Sequence, residues 1–537
     1  NDTGVKNVFL GIEAGEASTS SEQNVGIGYR ALEAVTTANM NTAVGTQALN
    51  SNTVGDRNTA VGYQALFQVD QSSNEDTDNV AVGMHAGRGI TTGTQNVSIG
   101  TYSMEDGNVT GDYNTAVGTY AAEMLTSGTQ NVVLGSFAGE ELTTGNYNTH
   151  VGYNSGGGTS AAAYTGQYNT SIGRSSLADI QGAAAGNVAL GFGALENLTT
   201  ASNNTAVGGA ALQVLTTGEG NVAVGGYAGD AITSAGLNTL VGYNAGTALD
   251  TSQYNVAVGH SALGSATTGD LNIAIGYKSL YDNTIGDRNT AIGYEALRQL
   301  EPASNADMYN VAIGFKAGTP ATSGTDFTGT FNTLVGGFAG AEISSGDGNV
   351  AIGYLAGGGS NTSRGAQATG DNNTSVGNDA LESVTSGYSN VAVGKNAALS
   401  ITTAYNNIVI GGFAADALDA GIENVVVGYK AGTNSVNLEG GHRNVLLGAY
   451  CDTTATDSDH ATGIGYNLDC EAGYTTIGNA GSDIRAAHGT ATWATVSDER
   501  YKKDIVDSSA GLNFINALRP RTFKYKTLGE LPETFRA

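Results

Sequence analysis

Cysteine, tryptophan and proline are almost missing from this chain: 537 residues hold two Cys, one Trp and four Pro. Two cysteines, Cys451 and Cys470, exclude a disulfide-stapled scaffold. Charge is sparse at 13% and one-sided, with 22 Lys+Arg against 49 Asp+Glu and a net of −27. That balance argues against nucleic acid, whose binders concentrate basic residues on a face. No run of eighteen apolar residues occurs, which argues against membrane insertion through a transmembrane helix. The first residues, Asn1-Asp2-Thr3-Gly4-Val5, include neither Met nor the apolar core of a signal peptide, so the chain reads as a piece of something longer. What is abundant is glycine, 80 residues, without the every-third-residue pattern of collagen. Apolar residues reach 40%, too many for a disordered chain.

One repeat accounts for the glycine. The phrase Asn-(Val/Thr)-Ala-(Val/Ile)-Gly recurs in 25 copies from Asn7 to Asn444, and 16 of the 24 intervals are 17 residues long. Two degenerate copies follow, centred on Gly465 and Gly478. The residue after Asn is Val, Thr or Ile in every copy, as a pleated strand prefers. Two further on it is always Val, Ile or Leu, and Gly comes next. Three past that Gly stands Ala or Ser, or Cys451 in the last copy. Segments such as Leu215-Thr216-Thr217-Gly218 supply turn chemistry.

A 17-residue unit cannot bury a core alone, but stacked units can. At about 4.8 Å per rung, 25 rungs make a rod of roughly 120 Å. The repeating Asn becomes a ladder whose amides bond the rungs above and below. A helical reading fails, because no 3.6-residue apolar period exists and Gly interrupts each unit. The expected fold is an all-β β-solenoid over residues 1–480, with a connector at 481–496 and a short α+β segment at 497–537. The apolar content per rung is thin, about one branched aliphatic and one small residue on each inward face. Several chains sharing an axis would bury it better, so a homo-oligomer of cyclic symmetry is expected.

The columns resemble the head repeats of trimeric autotransporter adhesins. They are closer still to the Asn-Thr-Ala-x-Gly-Tyr-x-Ala-Leu arrays of phage and marine bacterial fibre proteins; compare Asn58-Thr59-Ala60-Val61-Gly62-Tyr63-Gln64-Ala65-Leu66. The resemblance covers about residues 1–480 and implies a homotrimeric, left-handed parallel β-roll.

Longer intervals mark insertions, and in solenoids these become loops on one face. The longest run from Asn349 (24 residues), Asn310 (22), and Asn58, Asn148 and Asn289 (21 each). The acidic stretch Ser72-Ser73-Asn74-Glu75-Asp76-Thr77-Asp78 offers oxygen ligands for Ca²⁺, or is simply a solvated turn. Tyr164, Tyr168, Phe327 and Phe331 lie in or beside two other insertions and are candidates for stacking on sugar rings. The alternative is that they pack between rungs, since Tyr recurs throughout. Asp452, Asp457, Asp459 and His460 form a further candidate cation cluster, while the remaining histidines are scattered. Cys451 and Cys470 are 19 apart where rungs are 17, so their columns differ and a bridge stays open. No cofactor is called for.

Composition changes near Trp493: residues 497–537 carry a net of +2, against −29 for those before them. Ser508 and Ser509 precede an amphipathic stretch with Leu512, Ile515 and Leu518 on one helical face, ending before Pro520. Ser497 by itself would serve as a helix cap with Asp498 and Glu499 in the first turn. The phrases Ser497-Asp498-Glu499-Arg500-Tyr501-Lys502-Lys503-Asp504-Ile505 and Leu518-Arg519-Pro520 resemble the opening of the endosialidase-type intramolecular chaperone family. That resemblance implies a domain at the C-terminus of phage tail fibres and tailspikes that drives trimerisation and then cuts itself off. Carried over, Ser497 is the nucleophile and Lys502 its base, cleaving the Val496–Ser497 bond. A desolvated Lys can activate a serine hydroxyl in this way.

Zinc-protease, phosphate-loop and Cys-x-x-Cys motifs are absent, so no other enzyme is expected. The leading expectation is a virion tail fibre: extracellular, homotrimeric, joined to other virion components, and presenting loops to a host surface glycan or protein. A trimeric adhesin on a bacterial surface is the alternative, and a polysaccharide-degrading tailspike a third.

Overall fold

The computed structural model describes residues 5–69, 76–157, 163–304, 306–320, 326–358 and 367–490, and the strand Ala494–Thr495. No helix occurs among the described residues. Each repeat makes one turn of a parallel coil. It opens on a three-residue strand immediately after the Asn, as in Val222–Val224 and Thr239–Val241. Successive strands pair in parallel and in register: Val222 lies opposite Thr239, Ala223 opposite Leu240 and Val224 opposite Val241. Among the described residues the sheet so formed has 29 strands. Its last two, Ser482–Ala487 and Ala494–Thr495, run antiparallel and follow the final parallel strand Tyr474–Asn479. The expected β-solenoid with 17-residue turns is therefore the fold.

Two columns explain why the chain coils at this spacing. The repeating Asn is buried from Asn24 to Asn444. In a typical turn the Asn221 amide Nδ2 donates to the main-chain oxygen of Ala235 at 2.8 Å, and its Oδ1 accepts the N–H of Asn238 at 3.1 Å. Each Asn thus satisfies main-chain groups of its own turn and the next, which a wall of three-residue strands cannot do alone. Four residues after the Asn, the glycines adopt φ near +140°, a region open to glycine alone. A Cβ on Gly242 would also lie 2.5 Å from the carbonyl oxygen of Gly259 in the following turn.

The lumen keeps a constant volume by trading sizes. Eight residues after the Asn stands Leu, Ala, Met or Gly in all but the last repeat. The backbone there is left-handed, as at buried Leu32, Leu49 and Leu66 (φ 54°, 49° and 51°), where a β-branched residue would be strained. Where the strand's inward residue is Ala, this position is Leu in seven of thirteen repeats and Gly or Ala in the others. Where it is Leu240, the position is Gly in its own turn and in the one before, and a Cβ on Gly229 or Gly246 would lie 2.7 Å from the Leu240 methyls. Leu334 is flanked in the same way by Gly318 and Gly340.

One expectation about the core needs correction. The branched aliphatics of the strand do not fill the lumen. In every three-residue strand from Val25–Ile27 onward, only the middle residue is buried. Parity is the reason: the Asn must point inward to reach its main-chain partners, so the residue two later points inward as well. The residues one and three after the Asn then face out. The core is Ala from the strand, Ala or Ser from the turn, and Leu, Val or Ile from the far wall, such as Leu125, Leu198 and Leu215.

Candidate functional site

Two rows of Val, Ile, Leu and Thr run the length of the rod on the outward face of the sheet. Val222 and Val224 are 36% and 37% exposed, Ile273 and Ile275 37% and 36%, and Ile408 and Ile410 41% and 39%. Stacking on the turns above and below already covers their flanks, so the exposed part is the outward face. Large exposed apolar patches are the kind of surface that proteins bury against a partner.

Beside it stands a ladder of rings that sequence columns hide, because its members alternate between the fifth and sixth residue after the Asn. Tyr63, His85, Tyr102, Tyr120, Phe137 and Tyr153 follow one another with centroids 5.0–5.8 Å apart. A longer ladder climbs from Tyr227 through His260 and Phe315 to Tyr354. Tyr does pack between rungs. Of the four aromatics considered for sugar contact, Tyr164 and Phe327 are fully buried and fill the lumen where the repeat lengthens. The Tyr164 hydroxyl joins the Asn ladder, donating to Asn148 Oδ1 at 2.8 Å and accepting from Asn169 Nδ2 at 2.7 Å. Tyr168 and Phe331 are exposed, each stacked on the ring one turn earlier, Tyr147 and Tyr309, at 5.2 and 5.6 Å. Stacking spends one ring face of each on its neighbour.

The candidate cation ligands are largely engaged. Asp78 holds Arg57 through two hydrogen bonds, 2.7 and 3.0 Å, and Asp76 contacts the same guanidinium. Residues 72–75 of that stretch lie outside the described residues. Asp452 Oδ2 accepts the N–H groups of Asn434, Ser435 and Val436, and Asp459 accepts that of His442, so these two carboxylates cap separate main-chain segments. Among the described residues, carboxylates converge instead at Glu13, Glu16 and Glu33 and at Glu105, Asp106 and Glu123. In the second group Glu105 already binds His85 Nδ1 at 2.6 Å and Arg88 Nη1 at 2.9 Å. Burial first, and then Asp106 and Glu140, push the Glu123 carboxyl up to about 7.

Among the described residues a buried serine–histidine constellation stands out that the sequence did not reveal. His150 occupies the inward strand position, its Nδ1 2.7 Å from Ser171 Oγ, which is 2.6 Å from Ser155 Oγ. All three are fully buried. Burial pushes the imidazole down to about 3, keeping it neutral. With no path for a substrate, the group fills the lumen where Leu or Ala stands in other turns.

Val496, Ser497 and Lys502 lie outside the described residues, as does the amphipathic stretch at Leu512, Ile515 and Leu518. No curated protein matches the chain. The family described as chaperone of endosialidase matches residues 497–535, the segment singled out by its Ser-Asp-x-Arg and Leu-Arg-Pro phrases. A long β-solenoid that ends in an endosialidase-type intramolecular chaperone segment fits a protein of the tail-fibre or tailspike type.

Proposed function

We propose that this chain is the shaft of a homotrimeric viral tail fibre, carried on the outside of the virion and built to hold receptor-binding elements away from the particle. The observation that carries the reading is the outward strip, whose row three residues after the Asn is aliphatic without a break. Each Val or Ile in it, about a third exposed, would contribute roughly 0.5–1 kcal/mol on burial. Summed over the rod this reaches tens of kcal/mol, against about 4–15 kcal/mol for lost translational and rotational freedom. Two flat faces could cover each other, or three could enclose a common axis. The resemblance to three-chain rolls and the chaperone match at residues 497–535 favour three.

In this reading the C-terminal segment assembles three chains, and Ser497 then cuts the Val496–Ser497 bond with Lys502 as base. The acidic surface suits a rod that must stay soluble and avoid non-specific contact. Insertion loops and exposed rings such as Tyr168 are the places where a host glycan or protein would bind.

Light scattering of the Ser497→Ala chain, which stays whole, should give three times the 54.1 kDa chain mass in native buffer. The double substitution Ile273→Asp and Ile275→Asp should lower that mass or open the rod locally. A native monomer would overturn the shared-axis reading, and a dimer would replace it with face-to-face packing.

A further inference from the structure

The end of the array holds a pair of groups that neither the fibre nor the chaperone reading uses. Cys451 and Cys470 are both free and fully buried, and their sulfurs lie 3.7 Å apart. Cys451 stands in the column that carries Ala31, Ala48 and Ala65 in earlier turns. The parallel pairing of Asp452–Thr453 with Asp469–Cys470 lays Cys470 against the same stretch of lumen one turn later. The register here is 17, which sets Thr453 opposite Cys470; Cys451, two residues earlier, reaches Cys470 diagonally across the rung.

The space for the two sulfurs is made by Gly463. It occupies the inward strand position, where other turns carry buried Ala60, Ala81 or Ala116. Its backbone is not left-handed, so conformation does not demand glycine. Room does: a Cβ at 463 would fall within 3.0 Å of both Cys451 Sγ and Cys470 Sγ. Gly26 in the same column follows the same rule, since a Cβ there would lie 2.9 Å from the Phe9 ring that fills its place. Glycine at this position goes with a neighbour that takes its volume.

We infer that Cys451 and Cys470 are a site of disulfide formation, a covalent staple for the last turns of the roll. The partner is an external disulfide such as oxidised glutathione. One cysteine thiolate attacks a sulfur of that disulfide, releasing one glutathione thiol and forming a mixed disulfide. The second cysteine, losing its proton, attacks the cysteine sulfur of the mixed disulfide and expels the second glutathione thiol. The two protein thiols lose two electrons and two protons, and the glutathione disulfide gains them. The sulfurs must close to about 2.05 Å, a side-chain movement that glycine at 463 leaves unobstructed. The position is apt: the regular stack of parallel turns gives way at Asn479 to the antiparallel strand Ser482–Ala487, and the last turns of a stack, packed on the array from one side, open more readily than inner ones. Closing the staple ties two of these turns together.

The test uses the full chain, treated with excess oxidised glutathione both in native buffer and during refolding. The mass should fall by two hydrogen atoms, and no thiol should react with maleimide after denaturation. Tryptic cleavage at Arg443 and Arg485 should slow by roughly tenfold relative to the reduced chain. Cys470→Ser should abolish the mass change. Gly463→Ala retains both cysteines and should slow closure by about tenfold or more if room at this position is the requirement. Two reactive thiols after both treatments, a stable mixed disulfide, or bridges only between chains would each overturn the assignment.

Discussion

The main-chain N–H of Asn238 donates to the side-chain oxygen of Asn221 at 3.1 Å, while the Asn221 amide donates to Ala235 in its own turn at 2.8 Å. One buried side chain therefore joins two turns through two main-chain groups that water cannot reach. Replacing Asn221 with Ala should cost about 2–4 kcal/mol, because a buried N–H and a buried carbonyl are left unpaired. Asp should cost more, since its carboxylate would face the Ala235 carbonyl. In a stacked array the loss is local. Limited proteolysis should open residues 215–240 first, and uniform cleavage along the rod would contradict the ladder's role.

Glycine substitutions should separate sharply by column. Gly242→Ala places a methyl 2.5 Å from the Gly259 carbonyl at φ +139°, so at least about 3 kcal/mol of local destabilisation is expected. Gly209→Ala, with nothing within 4 Å of the added carbon and no left-handed backbone, should be neutral or slightly stabilising. Circular dichroism melts of the two variants would show the contrast, and equal effects would refute it.

Glu123 makes stability depend on pH in a direction opposite to that of most carboxylates. Its carboxyl is raised from 4.5 to about 7 by burial and by the acids stacked beside it. The folded rod therefore holds this proton more tightly than the unfolded chain. The stability linked to it is complete below the unfolded value of 4.5 and is lost as pH rises through about 7. Relative to Glu123→Gln, the wild-type melting temperature should fall between about pH 5 and pH 8. Calorimetry across that range checks it, and parallel curves would exclude a linked proton at this site.

Intact mass of the full chain speaks to the proposed self-cleavage. Release should leave a fragment ending at Val496, and Ser497→Ala or Lys502→Ala should keep the chain whole. A wild-type chain that stays intact after trimer assembly would remove Ser497 from the nucleophile's role.

How much of this was legible in the sequence depends on what each residue answers to. The Asn and Gly columns could be read directly, because their partners lie one repeat away and every turn restates the same demand. The coil, its spacing and the need for glycine where turns touch followed from that period. Which strand face points inward did not, since Val and Ile suit either side of a pleat; the hydrogen-bonding needs of the buried Asn decided it. The aromatic ladders were hidden because alternating columns break the period while the rings still meet in space. For Tyr164 and Phe327 the sequence left sugar contact and packing between rungs both open, because an inserted segment has no register until the lumen takes it in. Cys451 and Cys470, two positions out of step, meet only because Gly463 leaves a gap between them. Period alone determined the rod. Side-chain volume and direction, which exist only once the turns are stacked, decided what the rod encloses and what it shows.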